Sequence, residues 1–288
     1  MLRSTVSRIK SELGIYKRLL QFQQQLNKDE EILMVHQMGK VGSSSVVATL
    51  EKHFKQPILH THFLNKERLD KHIITLKNKG LKLDGHLKIA YLINQKKPEL
   101  LSKRKWKIIT LVREPIARNI SAYFQNLDRE HIQNCLNQYQ RNKIELPEII
   151  DYFFQNYSHD IPLKWLDWEI KEVFGIDVYQ SDFIPQKGYQ IYRHGSVELL
   201  LMRLENLNEC WEEAMVNFFK GNYSQSAIQL SQANIGENKG YSQLYKAFRQ
   251  QVKIPESYID KMYNSQYASH FYSPDEIDEF REHWLKII

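Results

Sequence analysis

An apolar run, Ile32-Leu-Met-Val-His36, passes directly into the turn Gln37-Met-Gly-Lys-Val-Gly42, and a helical pattern starts at once with Ser43. An all-apolar strand of this kind must be covered on both faces, which is the condition of a central strand in a parallel sheet. The unit recurs. Lys107-Ile-Ile-Thr-Leu-Val112 is a second apolar run, followed by Arg113, Glu114 and a helical pattern from Pro115 to Gln125. Shorter or later apolar runs, Ile58-Leu59 and Val197-Glu-Leu-Leu-Leu-Met202, read as further strands, and the segments 43–54, 66–79 and 161–174 read as helices. From Tyr241 onward the pattern is of several helices, with Pro255, Ser273 and Pro274 as breaks or caps. The expected fold is α/β: a P-loop-like, mostly parallel sheet flanked by helices, with additional C-terminal helices. One domain over residues 31–288 is expected, preceded by an amphipathic helix over residues 1–30 that carries Ile9, Leu13, Tyr16, Leu20 and Phe22 on one broad face.

Charge is distributed unevenly along this framework. Residues 1–130 hold 25 Lys and Arg against 12 Asp and Glu, whereas the remainder holds 15 against 22, so a net charge of +6 conceals a basic half and an acidic half. A regional excess suits an anionic ligand, but nucleic acid, acidic lipid, polyanionic sugar and nucleotide phosphate satisfy it equally. The acidic half argues against a surface coated for nucleic acid. Two cysteines, Cys135 and Cys210, make no disulfide framework, and no metal-ligand cluster stands out. No apolar stretch is long enough to cross a membrane, and the N-terminus lacks the apolar core of a signal peptide. A cytoplasmic protein is expected, with the N-terminal helix available for packing on the body, on a partner or on a membrane surface.

The turn after the first strand is suited to an anion. Gly39 and Gly42 let the backbone approach closely, the first amides of the helix point outward, Ser43, Ser44 and Ser45 add hydroxyls, and Lys40 adds a point charge. A plain turn with Ser as helix cap fits the same residues. The spacing is not that of a Walker A loop, because Gly39 and Gly42 are too close together and Ser, not Lys, follows the second glycine. In the second unit, Arg113 at the strand end and Ser121 a helical turn further on are suited to holding one anionic group between guanidinium and hydroxyl.

Together the two segments resemble the sulfotransferases. Met38-Gly-Lys-Val-Gly-Ser-Ser-Ser45 looks like their 5′-phosphosulfate loop, and Val112-Arg-Glu-Pro-Ile-Ala-Arg-Asn-Ile-Ser121 looks like their 3′-phosphate motif. Leu199–Leu207 and Tyr263–Tyr272 resemble the carbohydrate sulfotransferases and bacterial proteins linked to capsular polysaccharide synthesis. The resemblance implies 3′-phosphoadenosine 5′-phosphosulfate (PAPS) as sulfuryl donor and a carbohydrate hydroxyl as acceptor. It implies Lys40 at the leaving oxygen, Gly39, Val41, Gly42 and the three serines around the 5′-phosphosulfate, and Arg113 with Ser121 at the 3′-phosphate. The segment His60-Thr-His62 resembles one in the 2-O-sulfotransferases whose second histidine is the catalytic base, which puts His62 first and His60 second for that role. Glu67, Asp84 and His86 remain alternatives. The Arg-Lys-Gly loop of the cytosolic sulfotransferases does not occur here, and Lys239, in Asn234–Tyr241, takes a comparable late position. Competing readings are a P-loop kinase or NTPase and a non-enzymatic binder of polyanions.

Overall fold

In a computed structural model the described residues are Leu20, 31–83, 85–220, 229–231 and 240–286, with the side chains of 96–103 excepted. Apart from Leu20, the expected N-terminal helix lies outside them, as do Asp84 and Lys239. The elements in chain order are β1 (Ile32–His36), α1 (Ser43–His53), β2 (Leu59–Thr61), α2 (Lys66–Asn78), α3 (Gly85–Lys103), β3 (Trp106–Val112) and α4 (Pro115–Asn126). Then come α5 (Cys135–Gln140), α6 (Leu146–Asn156), α7 (Ile161–Leu166), α8 (Glu172–Phe174), β4 (Tyr189–His194), β5 (Val197–Arg203) and α9 (Leu207–Phe219). The chain closes with α10 (Ser242–Gln251), α11 (Glu256–Tyr263), α12 (Gln266–Phe271) and α13 (Pro274–Leu285).

The strands form one sheet in the order β2-β1-β3-β5-β4, parallel except for β4, which pairs antiparallel with β5. The fold is α/β, as the sequence led one to expect. Every residue of β1 and β3 is buried, as strands covered on both faces require. Polar Lys107 is tolerated inside β3 because its ammonium meets Glu198 at 2.5 Å and the Phe218 carbonyl at 2.7 Å. Burial alone would raise the Glu198 carboxyl, but Lys107 and Arg193 hold it down to about 2.

Three expectations need correction. The second strand runs over Leu59–Thr61 rather than Ile58-Leu59, so His60 and Thr61 belong to the sheet. Their polarity masked the strand, yet both are buried: Thr61 Oγ1 meets His36 Nδ1 on β1 at 2.8 Å. The helix expected over 161–174 is interrupted by a widened π turn at Asp167–Lys171. That turn contains Glu169, which is fully buried and accepts the Leu64 and Asn65 amides at 2.6 and 2.9 Å. The antiparallel edge strand β4 had no counterpart in the sequence reading. It turns into β5 through Gly195, whose φ of +55° suits a tight hairpin.

Two apolar clusters sit side by side. One surrounds the sheet; the other joins α4, α6, α10, α11 and α13, and Leu163, Ile277 and Phe280 pack against both. Capping is explicit at the last helix, where Ser273 and Glu276 form a reciprocal capping box. Both cysteines are buried thiols. Among the described residues no helix is long and apolar enough to cross a membrane.

Candidate functional site

At the carboxyl ends of β1, β2 and β3 lies a cavity of about 1810 Å³, the position at which open α/β sheets bind ligands. It gathers residues that the sequence keeps far apart: Gly39, Lys40, Gly42, Ser43 and Ser44 from the first loop, His60 and His62 from the end of β2, and Arg113 and Ser121 from the second. Val41 and Ser45 do not line it. The Val41 side chain is buried in the core, and the Ser45 carbonyl accepts the Thr49 hydroxyl at 2.7 Å.

The loop's shape follows from its ends. Met38 and Val41 are buried and anchor it, while Lys40 and Gly42 both adopt positive φ, 73° and 95°. At Gly42 the left-handed backbone and the packing coincide, since a Cβ there would lie 2.7 Å from Leu204 Cδ1. Gly42 is also the N-cap of α1 and brings no side-chain cap, so the start of that helix is open to an outside anion.

The second loop is built the opposite way. Glu114 caps α4 with its own carboxylate, accepting the Ile116 and Ala117 amides at 2.7 Å each. Tyr263 donates its hydroxyl to the same carboxylate at 2.7 Å, and the Glu114 amide donates to Glu205 at 2.8 Å. Burial pushes the Glu114 carboxyl above its ordinary value, against these donors. With the helix end closed, the groups on this side that line the cavity and could hold an anion include the Arg113 guanidinium and the Ser121 hydroxyl.

Arginines stitch the two loops together. Arg113 Nη1 donates to the Lys40 carbonyl at 3.0 Å and Arg118 Nε to the Gly39 carbonyl at 3.0 Å. Arg118, which the sequence reading assigned no role, is almost fully buried and also reaches the Tyr157 hydroxyl at 3.2 Å. The signal was present: Arg118 and Ser121 are three apart on one helix and therefore share a face. Lys40 Nζ lies 3.4 Å from Gln125 Oε1 on α4. The first loop could thus hold one anionic group at Lys40, Ser43, Ser44 and the α1 start, and Arg113 with Ser121 a second.

Beside them three imidazoles converge. His60 and His62 face the same side of the extended segment, as alternation predicts, with ring centroids 5.0 Å apart. His86, at the start of α3, stands 4.3 Å from His60 and 4.7 Å from His62. His62 Nδ1 lies 2.7 Å from the Gln37 carbonyl, and His86 Nδ1 lies 3.0 Å from the His60 carbonyl. A carbonyl only accepts, so these Nδ1 atoms carry the protons, and in the neutral rings Nε2 carries the lone pair. His86, one of the alternative bases named from the sequence, reaches the other two through the packing of α3 on β2, which no local pattern encodes. Of the alternative bases, Glu67 pairs with Lys71 at 2.5 Å on the surface, and the Lys71 ammonium holds its carboxyl below the usual carboxylate value. That makes Glu67 a poorer proton acceptor.

Further lining comes from the helical cluster, with Tyr241, Tyr245, Lys246 and Arg249 from α10 and its start. Here the comparisons bear. Residues 140–273, somewhat less than half of the chain, match a family model described as "Putative capsular polysaccharide synthesis protein". The matched stretch contains β4, β5 and these four residues, and excludes the loops that follow β1 and β3. No curated protein and no solved structure matches the chain.

Proposed function

We propose that this chain is a PAPS-dependent sulfotransferase that transfers a sulfuryl group to a carbohydrate hydroxyl. One observation carries the reading: Lys40, Ser43, Ser44, Arg113, Ser121 and His62 line one cavity, with the α1 start open and the α4 start closed by Glu114. This asymmetry supports the 5′-phosphosulfate on the first loop and the 3′-phosphate on Arg113 and Ser121. The partial family match adds support for a role in polysaccharide synthesis.

The chemistry is an in-line displacement. A bond forms between the acceptor oxygen and sulfur while the bond from sulfur to the bridging phosphate oxygen breaks, releasing the 3′,5′-bisphosphate. Charge grows on that oxygen, and Lys40 supplies a fixed cation for it. The acceptor proton passes to His62 Nε2, whose ring is oriented by the bond from Nδ1 to the Gln37 carbonyl. Lys239 remains a proposed cover for the nucleotide.

Isothermal titration with the 3′,5′-bisphosphate tests the cofactor. Tight binding, lost when the 3′-phosphate is removed, is expected; equal binding of both nucleotides overturns the reading. Radiolabelled PAPS with a panel of saccharides then tests the acceptor class.

A further inference from the structure

The three imidazoles on the cavity wall have a property that proton transfer alone does not use. We propose that His60, His62 and His86 form a binding site for a single divalent transition-metal ion of the zinc type, opening onto the cavity.

Their candidate ligand atoms, one nitrogen from each ring, all lie within 4.8 Å of one another. In a tetrahedral zinc site with Zn–N near 2.0–2.1 Å the nitrogens stand about 3.4 Å apart, so the trio must close by roughly 1.5 Å at most. Side-chain rotation supplies that much at His62 and His86, which are half-buried, while His60 is held in β2.

The outer contacts match what a metal requires. Imidazole ligands characteristically donate their second N–H to a backbone carbonyl or carboxylate, which fixes tautomer and ring orientation. His62 does this to Gln37 and His86 to the His60 carbonyl. The second of these bonds has a geometric effect: it ties the ring of His86 to the backbone of His60, another member of the trio.

The donor set selects the ion. Three imidazoles, with no carboxylate or thiolate joining them among the described residues, suit zinc, cobalt, nickel or copper, and do not suit magnesium or calcium, which take oxygen. Three protein ligands leave a fourth position, and the cavity side is where it would open, to water or to an oxygen of a bound molecule. An ion there and the proposed proton transfer compete for the same Nε2 lone pair of His62. The site itself does not rest on the sulfotransferase reading.

The test uses the untagged full chain, stripped with chelator and titrated with Co2+ as a visible probe. Expected are one ion per chain, ligand-field absorption typical of imidazole nitrogen donors, displacement by equimolar Zn2+ but not by excess Mg2+, and at least tenfold weaker binding in His62→Ala and in His86→Ala. No saturable absorption, or undiminished affinity in both variants, overturns the proposal. Should a variant fail to fold, 15N-histidine labelling of the wild type decides: Zn2+ must shift the ring signals of these three histidines, and unshifted signals overturn the site. Titration with the 3′,5′-bisphosphate is read separately, so loss of the function proposed above and loss of the metal site are distinguishable.

Discussion

A single hydroxyl closes both backbone groups of the site's arginine: Tyr267 Oη accepts the Arg113 N–H at 3.0 Å and donates to the Arg113 carbonyl at 2.8 Å. Tyr267 is buried on α12, far along the chain, so the C-terminal helices fix the end of β3 at Arg113. Tyr267→Phe leaves both backbone groups without that partner at a buried position, at a cost of about 1–3 kcal/mol. Urea denaturation measures the loss. On the proposed function the same variant weakens binding of the 3′,5′-bisphosphate while a nucleotide lacking the 3′-phosphate binds as before.

Lys40 combines a charge that the proposed transfer requires with an unfavourable backbone. Its φ of 73° lies in the left-handed region, which costs a residue with a side chain about 1 kcal/mol and glycine little. Lys40→Gly should therefore be more stable than wild type by about 0.5–1 kcal/mol, whereas Lys40→Ala should not. Both variants should lose sulfuryl transfer. Thermal unfolding beside a turnover assay separates the two effects, and an active Lys40→Gly would remove Lys40 from its role at the leaving oxygen.

Gly42→Ala is expected to act through sterics. The added Cβ would lie 2.7 Å from Leu204 Cδ1 at a φ of 95°, so the β1 turn and the chain after β5 must separate. A loss of about 1–3 kcal/mol follows from strain and overpacking together. Equilibrium denaturation reads it directly. The parallel change Gly39→Ala meets nothing within 4 Å and should be close to neutral for stability.

His131 predicts an acid limb in stability. Its ring is stacked on Tyr123 at 5.0 Å, and burial, with Lys79 nearby, lowers it from 6.5 to about 4. The unfolded chain therefore binds a proton that the folded chain refuses between those values. The contribution is fully present above pH 6.5 and is lost as pH falls toward 4. His131→Gln should flatten the fall of melting temperature across that window relative to wild type; an unchanged slope would refute the assignment.

What the sequence made legible was whatever apolar periodicity carries. β1, β3 and β5 stand out because their residues are almost uniformly apolar, and the loops Met38–Ser45 and Arg113–Ser121 stand out because basic and hydroxyl residues follow an apolar strand and open a helix in both. β2 was displaced because His60 and Thr61 are polar residues satisfied inside the sheet, which no hydropathy pattern reveals. β4 was missed because Arg193 and His194 interrupt its apolar character at an exposed edge. The site divides likewise. Contiguous motifs gave Lys40, Ser43, Arg113 and Ser121, whereas the approach of His86 to His60 and the hold of Tyr267 on Arg113 depend on distant packing that the chain encodes only through its whole fold.

The strand order has a consequence for the newly made chain. β3 lies between β1 and β5, but β5 follows β3 in sequence only after α4 to α8 and β4 have been made. During that interval one edge of Trp106–Val112, seven residues that are all buried in the finished sheet, has no strand beside it. Open apolar edges template wrong pairings, and long-range parallel pairing is slow. The vulnerable moment in this protein's life is therefore synthesis, when β3 waits for a partner that the ribosome has yet to deliver.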